Sequence, residues 1–461
     1  MTRSGAGMLE DLLARAGDPE GYEAWRIRGR ATGWCRHPVR LVGATRHVDS
    51  GTGEVQGHFA SAALPDGVLL KACQQRRATL CPTCSATYRA DAFQLVSAGL
   101  RGGKGVPETV ADHPAAFATF TAPAFGAVHS AATNRNGQPS RCHPAGTGAC
   151  EHGTPRACVE MHEPGDPLLG QAICLACFDY PSAVVWNALA GDLWRRTTIG
   201  LRRRLARHAG LPASRLSEAM SVSFAKVVEY QRRGVVHVHA VIRVDPAGNG
   251  PASLDGQVLA LAVIDAATSA RVPYPDSPGL TGRAGWGSQL DVQVLGHAGL
   301  SPGGAAGYLA KYVTKSTDPG GLLDRRLRVT DLDHVDALLS PHLARMVRTA
   351  WDLGGRPELA HLRLRAWAHT LGFRGHWLTK SRSYSTTFAA LRAARAAWSR
   401  DHAAGDEPAP DDLAAVRNWG YAGRGWISPG DAWLAATAAA ELAETRLLAR
   451  EARRTDHRQH V

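Results

Sequence analysis

The sequence predicts an α+β fold in which a central antiparallel β-sheet is flanked by helices. Two neighbouring runs, 221–230 and 235–245, alternate between apolar and polar residues and are rich in β-branched side chains, which is typical of a β-hairpin. Segments before and after the hairpin carry apolar residues at helical spacing. All nine cysteines lie in the first 177 residues, which indicates that parts of the N-terminal half are held together locally by metal ions.

The predicted elements follow one another along the chain. A short amphipathic helix is expected around Leu9, Leu12 and Leu13, and a second helix follows the first CxxC pair. A strand over 115–125 is ended by Pro123, which cannot donate a ladder hydrogen bond. The remaining predicted elements are a basic helix over about 182–208, the hairpin, a helix near 256–271, a strand near 289–295, a helix near 303–316 and an Ala-rich C-terminal helix.

The composition excludes several classes of protein. With 461 residues, 44% of them hydrophobic and 20% charged, the chain is expected to form about two to four folded units and not to be disordered throughout. It has no run of about 18 apolar residues and no apolar secretory signal core, so we expect a cytoplasmic protein without a membrane partner. The formal net charge of +12 favours a polyanionic partner such as nucleic acid.

The cysteine spacing predicts two structural zinc sites. Two pairs, one ending at Cys84 and one at Cys177, have CxxC spacing, which lets two thiolates reach one Zn²⁺ from a single tight turn. An odd number of cysteines without an export signal argues against a disulfide framework. Buried or redox-active thiols remain an alternative. The first predicted site is Cys35, Cys73, Cys81 and Cys84; the second is Cys150, Cys158, Cys174 and Cys177, with Cys142 and His152 as reserve ligands.

These patterns divide the chain into four expected segments. Residues 1–110 hold the first zinc site, and residues 111–320 hold the hairpin together with a cysteine-rich zinc insert at about 130–180. Residues 321–400 are expected to form a basic, aromatic helical region that either grips DNA or presents an ordinary solvated basic face. Residues 401–461 are expected to begin with an acidic linker and to form a helical tail.

The hairpin carries a candidate metal site. Period-2 alternation places His237 and His239 on one face, which we expect to be the solvent side of the sheet. A three-residue loop at 232–234 pairs Glu229 with His237 and brings the carboxylate to the same face, whereas a two-residue turn would pair it with Val236 and turn it away. The glycine in the loop favours the first register. Two imidazoles and a carboxylate suit Mn²⁺ or Mg²⁺ with open positions for phosphate oxygens.

The predicted helix near 303–316 carries two tyrosines on one face. Tyr308 and Tyr312 are four residues apart, and Lys311 and Lys315 each follow a tyrosine at i+3. The chain has six lysines, so two within five residues suggest compact charges for a phosphate or a developing phenolate. Simple packing of a tyrosine pair is the alternative.

Three motifs, in this order, resemble those of rolling-circle replication initiators with a His-hydrophobe-His (HUH) endonuclease domain. They are FATFTAP at 117–123, VHVHA at 236–240 and YLAKYVTK at 308–315. The paired tyrosines are similar to those of the two-tyrosine initiators of small single-stranded DNA phages. Over about residues 30–430, the cysteine-rich N-terminal half and the block EYQRRGVVHVHA are similar to initiators of actinobacterial integrative and conjugative plasmids. The cysteine-rich insert is absent from minimal family members.

The resemblance implies a nicking reaction on single-stranded origin DNA. His237, His239 and Glu229 would bind the divalent ion that polarises the scissile phosphate, and Tyr308 or Tyr312 would attack it. The products would be a 5′-phosphotyrosine and a free 3′-OH that primes synthesis, and the second tyrosine could accept the strand when it is rejoined. The sequence has no Gly-x4-Gly-Lys-Ser/Thr motif, so we expect a host helicase and host replication machinery as partners, and no small-molecule substrate.

Other functions remain open from the sequence. Transposases and conjugative relaxases are alternatives within the same family, and a non-catalytic zinc-bound DNA-binding regulator would use the tyrosines only for packing. A barrel metallohydrolase is disfavoured, because its His-x-His motif ends the first strand whereas this one lies mid-chain. The nickase hypothesis predicts a phenol oxygen within about 5 Å of the ion site, so that one phosphate oxygen can bridge them.

Overall fold

The computed structural model describes residues 5–134, 136–248, 254–296, 300–314, 325–401 and 413–459. The chain divides into two compact units, one formed by Met1–Asp91 with Ala389–Val461 and the other by Ala92–Phe388. Their mixture of helices and antiparallel sheets confirms the broad class that the sequence predicts. No helix within the described ranges is both long and apolar enough to span a bilayer. The four expected segments do not coincide with these two units.

The helices and strands are numbered in chain order. The helices are α1 (Gly5–Ala16), α2 (Pro19–Ala31), α3 (Pro82–Arg101), α4 (Tyr180–His208), α5 (Gly256–Ser269), α6 (Pro302–Thr314), α7 (Val335–Leu338), α8 (Pro341–Leu353), α9 (Phe388–Asp401) and α10 (Pro429–Gln459). The strands are β1 (Val39–Asp49), β2 (Val55–Ala60), β3 (Leu69–Lys71), β4 (Ala115–Phe120), β5 (Met220–Tyr230), β6 (Val236–Pro246), β7 (Val272–Pro273), β8 (Arg283–Ala284), β9 (Leu290–Val294), β10 (Leu378–Lys380) and β11 (Leu413–Arg424).

A five-stranded antiparallel sheet forms the centre of the second unit, in the order β10-β5-β6-β4-β9. Its hairpin has the predicted register, because Glu229 pairs with His237. The backbone N–H of Gln231 donates to the carbonyl of Val235 at 2.9 Å, which closes a three-residue loop. Gly234 takes a φ of +76° in this loop, a conformation that glycine adopts without steric penalty.

Replacing Gly234 with alanine is expected to destabilise the protein. A β-carbon there would lie 3.0 Å from Leu371 Cδ1 and 3.1 Å from Leu343 Cδ2, in addition to the backbone strain of about 1–2 kcal/mol. Gly210 has a similar φ of +67°, but a β-carbon on it would have no atom within 4 Å, so Gly210→Ala measures the backbone strain alone. Thermal unfolding should show a larger decrease in melting temperature for Gly234→Ala than for Gly210→Ala. Equal losses would contradict the crowding argument.

Helices cover both faces of the central sheet. On one face Trp194 of α4 makes edge contacts with Phe120 and Phe224, at ring distances of 5.5 and 5.1 Å. On the other face Tyr308 of α6 contacts Phe117 at 5.3 Å. The expectation that the histidine face is the solvent side was therefore wrong, since α6 packs over it. The sequence pattern of one strand cannot show that a distant helix covers its polar face.

The first unit contains a second antiparallel sheet in the order β11-β1-β2, with β3 also paired to β1. The helical tail expected over residues 401–461 also contains a strand, because β11 pairs with β1 from Leu413 to Arg424 before α10 begins. The alanines and the arginine at the start of β11 favour a helix locally, so the strand depends on long-range pairing. Most of the expected acidic linker lies outside the described residues.

Within the region 321–400 that was expected to be helical, the Arg- and Trp-containing stretch 363–398 is not one continuous helix. It contains one 3₁₀ helix (Leu364–Thr370), the strand β10 and most of α9. Some of its aromatic side chains belong to the core, because the buried Tyr384 hydroxyl donates to the carbonyl of Val96 at 3.0 Å. Trp398 in α9 is 61% exposed, so only part of the stretch presents rings to solvent.

Candidate active site

Strand pairing brings the predicted ligands on β5 and β6 together. Glu229 lies directly opposite His237, and its Oε1 is 3.3 Å from Nε2 of His239. The two imidazole rings are 4.5 Å apart, centroid to centroid. His239 is only 2% exposed. The three predicted side chains therefore share one largely buried face of the sheet.

Two threonines, one at the end of β4 and one just after it, orient the imidazoles. Thr119 Oγ1 lies 3.1 Å from Nδ1 of His239, and Thr121 Oγ1 lies 3.2 Å from Nδ1 of His237. When each Nδ1–H donates to its threonine hydroxyl, the lone pair on Nε2 is left for a metal ion. The threonines lie within the FATFTAP motif, but their role could not be assigned without the pairing of β4 with β6.

The charge state of the site suits a metal ion. Burial lowers the pKa of His237 to about 3, and the neighbouring His239 and Arg233 act in the same direction. The imidazole is therefore neutral at physiological pH, which is the form that binds metals. An oxygen 3.3 Å from a ring nitrogen is close enough for both to contact one ion at about 2.0–2.2 Å from each.

The three predicted ligands on β5 and β6 are less closely gathered than the cysteine groups. Within the described ranges, the groups whose ligand atoms all lie within 4.8 Å of one another contain cysteine, and His237, His239 and Glu229 are not among them. With Oε1 of Glu229 3.3 Å from Nε2 of His239, each ring nitrogen of His237 therefore lies more than 4.8 Å from at least one of these two atoms.

Both tyrosines of α6 lie against His239. The rings of Tyr308 and Tyr312 lie 5.1 and 4.9 Å from this imidazole, and 4.5 Å from each other. Phe117 adds a further edge contact to Tyr308. The two phenols, one helical turn apart on α6, therefore lie against the sheet face that carries the histidines.

The lysines predicted beside the tyrosines are placed only in part. Lys311 is exposed, and its Nζ lies 5.8 Å from the ring centroid of Tyr312. Lys315 lies outside the described residues. The ammonium group of Lys311 therefore lies beside the Tyr312 ring.

Tyr308 is held in its protonated form. Burial raises the pKa of its phenol, the Tyr312 hydroxyl raises it further, and so do the negative charges of Glu229 and Asp291. A neutral phenol is a weak nucleophile, so attack by Tyr308 requires a positive charge near its oxygen. A divalent ion held by His237, His239 and Glu229 would supply that charge.

Asp291 is a further acidic residue of this face that was not predicted from the sequence. This residue lies on β9 opposite Thr119, so its side chain shares the face with the histidines. The alternation in QLDVQVL placed Asp291 and Gln293 on one face of a strand, but the sequence did not show which strand would be its neighbour.

The first predicted cysteine group is brought together. Sγ of Cys35 lies 3.8 Å from that of Cys81, and Sγ of Cys73 lies 3.7 Å from that of Cys84. All four sulfur atoms are within 4.8 Å of one another. Four such thiols match a closed Cys₄ zinc site.

The second predicted group needs one correction. Cys150, Cys174 and Cys177 converge with His152, the reserve ligand, and not with Cys158. Nδ1 of His152 lies 3.3 Å from Sγ of Cys177. Cys158 is held elsewhere by backbone pairing with His143, and it lies with His129, Cys142 and His162. Chain spacing alone could not separate two interleaved ligand sets.

A threonine substitution tests how the imidazoles are held. Thr119→Val removes the hydroxyl beside His239 and is expected to weaken Mn²⁺ binding about 10–100-fold. Calorimetric titration of Mn²⁺ without DNA measures this. Thr268→Val is the matched control, since that exposed hydroxyl donates within α5 to the carbonyl of Ile264. Unchanged Mn²⁺ affinity in Thr119→Val would contradict the orienting role.

Comparison with known proteins identifies the family. A profile of the RepSA family, described as "Replication initiator protein, pSAM2", matches residues 21–440. A protein of Streptomyces ambofaciens described as "Replication initiator protein" is 42% identical over 464 residues, which cover 96% of this chain and 95% of that protein. No solved structure matches the chain. The chain therefore belongs to the RepSA family of replication initiator proteins.

Proposed function

We propose that this protein initiates plasmid replication by nicking single-stranded origin DNA with a tyrosine of α6, as an HUH endonuclease does. One observation carries the proposal: both phenol rings lie about 5 Å from His239, whose Nε2 is 3.3 Å from Glu229 Oε1. Membership of the replication initiator family supports the biological role.

His237, His239 and Glu229 would hold Mn²⁺ or Mg²⁺, which supplies positive charge to the scissile phosphate when it is bound. Thr119 and Thr121 keep the imidazoles in the orientation that presents Nε2. The surrounding sheet and α6 shield the His239 imidazole from water, because its side chain is almost fully buried. Electrostatic interactions are stronger in such a site than in water.

The covalent step uses one phenol as the nucleophile. The hydroxyl of Tyr308 or Tyr312 passes its proton to solvent, and its oxygen forms a bond to phosphorus while the bond between phosphorus and the 3′-oxygen breaks. The 3′-oxygen takes a proton and becomes the free 3′-OH that primes synthesis. The 5′ end stays linked to the protein as a phosphotyrosine, which preserves the bond energy needed for rejoining.

The second phenol would accept the strand in the closing transfer. Tyr308 and Tyr312 have ring centroids 4.5 Å apart and both contact His239, so one site can serve two successive attacks. The Lys311 ammonium near Tyr312 would stabilise a developing phenolate or a phosphate oxygen.

The cysteine groups are proposed to hold structural zinc. Cys35, Cys73, Cys81 and Cys84 would bind one ion, and Cys150, His152, Cys174 and Cys177 would bind another. The origin DNA is the proposed partner of the positively charged chain. Unwinding is assigned to a host helicase and the host replication machinery, because the sequence has no phosphate-binding loop of its own.

The direct test is to identify the covalent bond. The full-length protein is incubated with a labelled single-stranded origin oligonucleotide and Mn²⁺, digested with trypsin, and the nucleotide-bearing peptide is sequenced by mass spectrometry. We expect a 5′-linked nucleotide on Tyr308 or Tyr312. Adducts on another residue, or none across origin sequences and metals, would favour a DNA-binding regulator without catalysis.

A further inference from the structure

Four metal-binding side chains converge in the insert, apart from the two groups proposed above. Nδ1 of His129 lies 3.1 Å from Nε2 of His162, and Sγ of Cys158 lies 3.4 Å from the same nitrogen. The Sγ atom of Cys142 completes the group, and all four ligand atoms lie within 4.8 Å of one another. Cys142 and His162 are buried.

Backbone hydrogen bonds hold the four ligands in place. The N–H of Cys142 donates to the carbonyl of Glu160, and His143 and Cys158 exchange two hydrogen bonds at 2.8 and 3.1 Å. His129 is fixed by bonds to Gln171 and Gly170 at 2.8 Å each. Three segments of the insert therefore meet at the group through main-chain hydrogen bonds.

The surroundings of the group are those of a metal site. Asp166 Oδ2 lies 2.6 Å from Nδ1 of His162, the arrangement in which a carboxylate fixes a ligating histidine and turns Nε2 to the ion. The carboxylate is itself held, because the N–H of Leu168 donates to Asp166 Oδ1 at 2.8 Å. The backbone N–H of Ser130 donates to Sγ of Cys142 at 3.2 Å, which holds this sulfur atom in the group.

We propose that His129, Cys142, Cys158 and His162 bind a third structural Zn²⁺. Two thiolates and two imidazoles in a closed group are a ligand set that selects zinc in tetrahedral geometry. With this site, each of the nine cysteines belongs to one of three ligand groups. The proposal does not depend on the nicking function.

The site would brace the loop of the catalytic hairpin. The segment after His162 is bonded to that loop, because Arg232 donates to the carbonyl of Pro164. A β-carbon on Gly170 would lie 2.4 Å from Arg232 Cβ, so the two backbones are in close contact. Both segments line a cleft of about 1080 Å³ that also includes His129 and Arg233. Zinc at this site would thus fix one wall of the cleft beside the hairpin that carries Glu229 and His237.

Zinc content and thiol protection test the proposal on the unaltered protein. Inductively coupled plasma mass spectrometry should find about three Zn²⁺ per chain. All nine cysteines should be protected from alkylation by iodoacetamide until a chelator is added. A preparation that holds two Zn²⁺ per chain, with Cys142 and Cys158 as the alkylated residues, would overturn the proposal.

Two variants locate the third ion. Cys142→Ser/Cys158→Ser should lower the zinc content by one per chain, and Cys150→Ser/Cys174→Ser is the matched control that should lower it by one from the other site. Asp166→Asn keeps all four ligands and should release one Zn²⁺ to a competing chelator about 10–100-fold more readily. Two results together would contradict the assignment. In Asp166→Asn, every Zn²⁺ would be released at the rate seen in the unaltered protein, and in Cys142→Ser/Cys158→Ser the zinc content would be unchanged.

Discussion

The Tyr308→Phe/Tyr312→Phe variant is expected to lose covalent adduct formation and nicking by more than about a thousandfold. Removal of both hydroxyls leaves phenyl rings that keep the packing against His239 but have no nucleophilic oxygen. Denaturing gels of protein incubated with labelled origin DNA and Mn²⁺ measure the loss. Tyr421→Phe is the control, because that tyrosine is 70% exposed on β11 and far along the sequence from the motifs.

The single tyrosine variants separate the two transfers. If one phenol attacks first and the other accepts the strand later, one variant should lose the initial adduct while the other keeps the adduct and loses rejoining. A double variant that still forms the adduct at the normal rate would exclude both phenols as nucleophiles. Full rejoining by both single variants would show that one phenol performs both steps.

His239→Ala is expected to have the second-largest effect, a loss of about 10²–10⁴-fold in the nicking rate constant. This imidazole contacts both phenols and lies 3.3 Å from Glu229, so its removal takes away a metal ligand and the packing partner of the nucleophiles. Single-turnover nicking over a range of Mn²⁺ concentrations measures the effect.

Controls separate lost chemistry from lost folding in His239→Ala. The exposed His376 provides a matched substitution, His376→Ala, which should nick at the normal rate. Glu229→Gln keeps the size of the side chain. It should raise the Mn²⁺ concentration needed for nicking, because a neutral amide is a poorer ligand than a carboxylate. A folded His239→Ala protein with an unchanged Mn²⁺ requirement and rate would contradict the metal role of this histidine.

The sequence was most informative where local rules decide the structure. The three-residue loop at 232–234 determined which face Glu229 occupies, and the structure has that register. The spacing of Tyr308 and Tyr312 likewise predicted one helix face, and both rings lie together. Turn geometry and helical periodicity depend on neighbouring residues, so they can be inferred from the chain alone.

Long-range pairing explains what the sequence did not show. The position of Asp291 beside Thr119 depends on the pairing of β9 with β4. The strand conformation of β11 likewise depends on its pairing with β1. The exchange of Cys158 for His152 arises because two ligand sets alternate along the insert. In each case residues far apart in sequence, or interleaved within it, meet only after the backbone has folded.

The position of a bound divalent ion tests the central claim most directly. Crystals of the protein grown with Mn²⁺ allow the ion to be located by anomalous scattering. We predict Mn²⁺ in contact with Nε2 of His237, Nε2 of His239 and a carboxylate oxygen of Glu229, with a phenol oxygen of α6 within about 5 Å. Mn²⁺ bound at another place, with these three side chains free of metal at saturating concentration, would contradict the account.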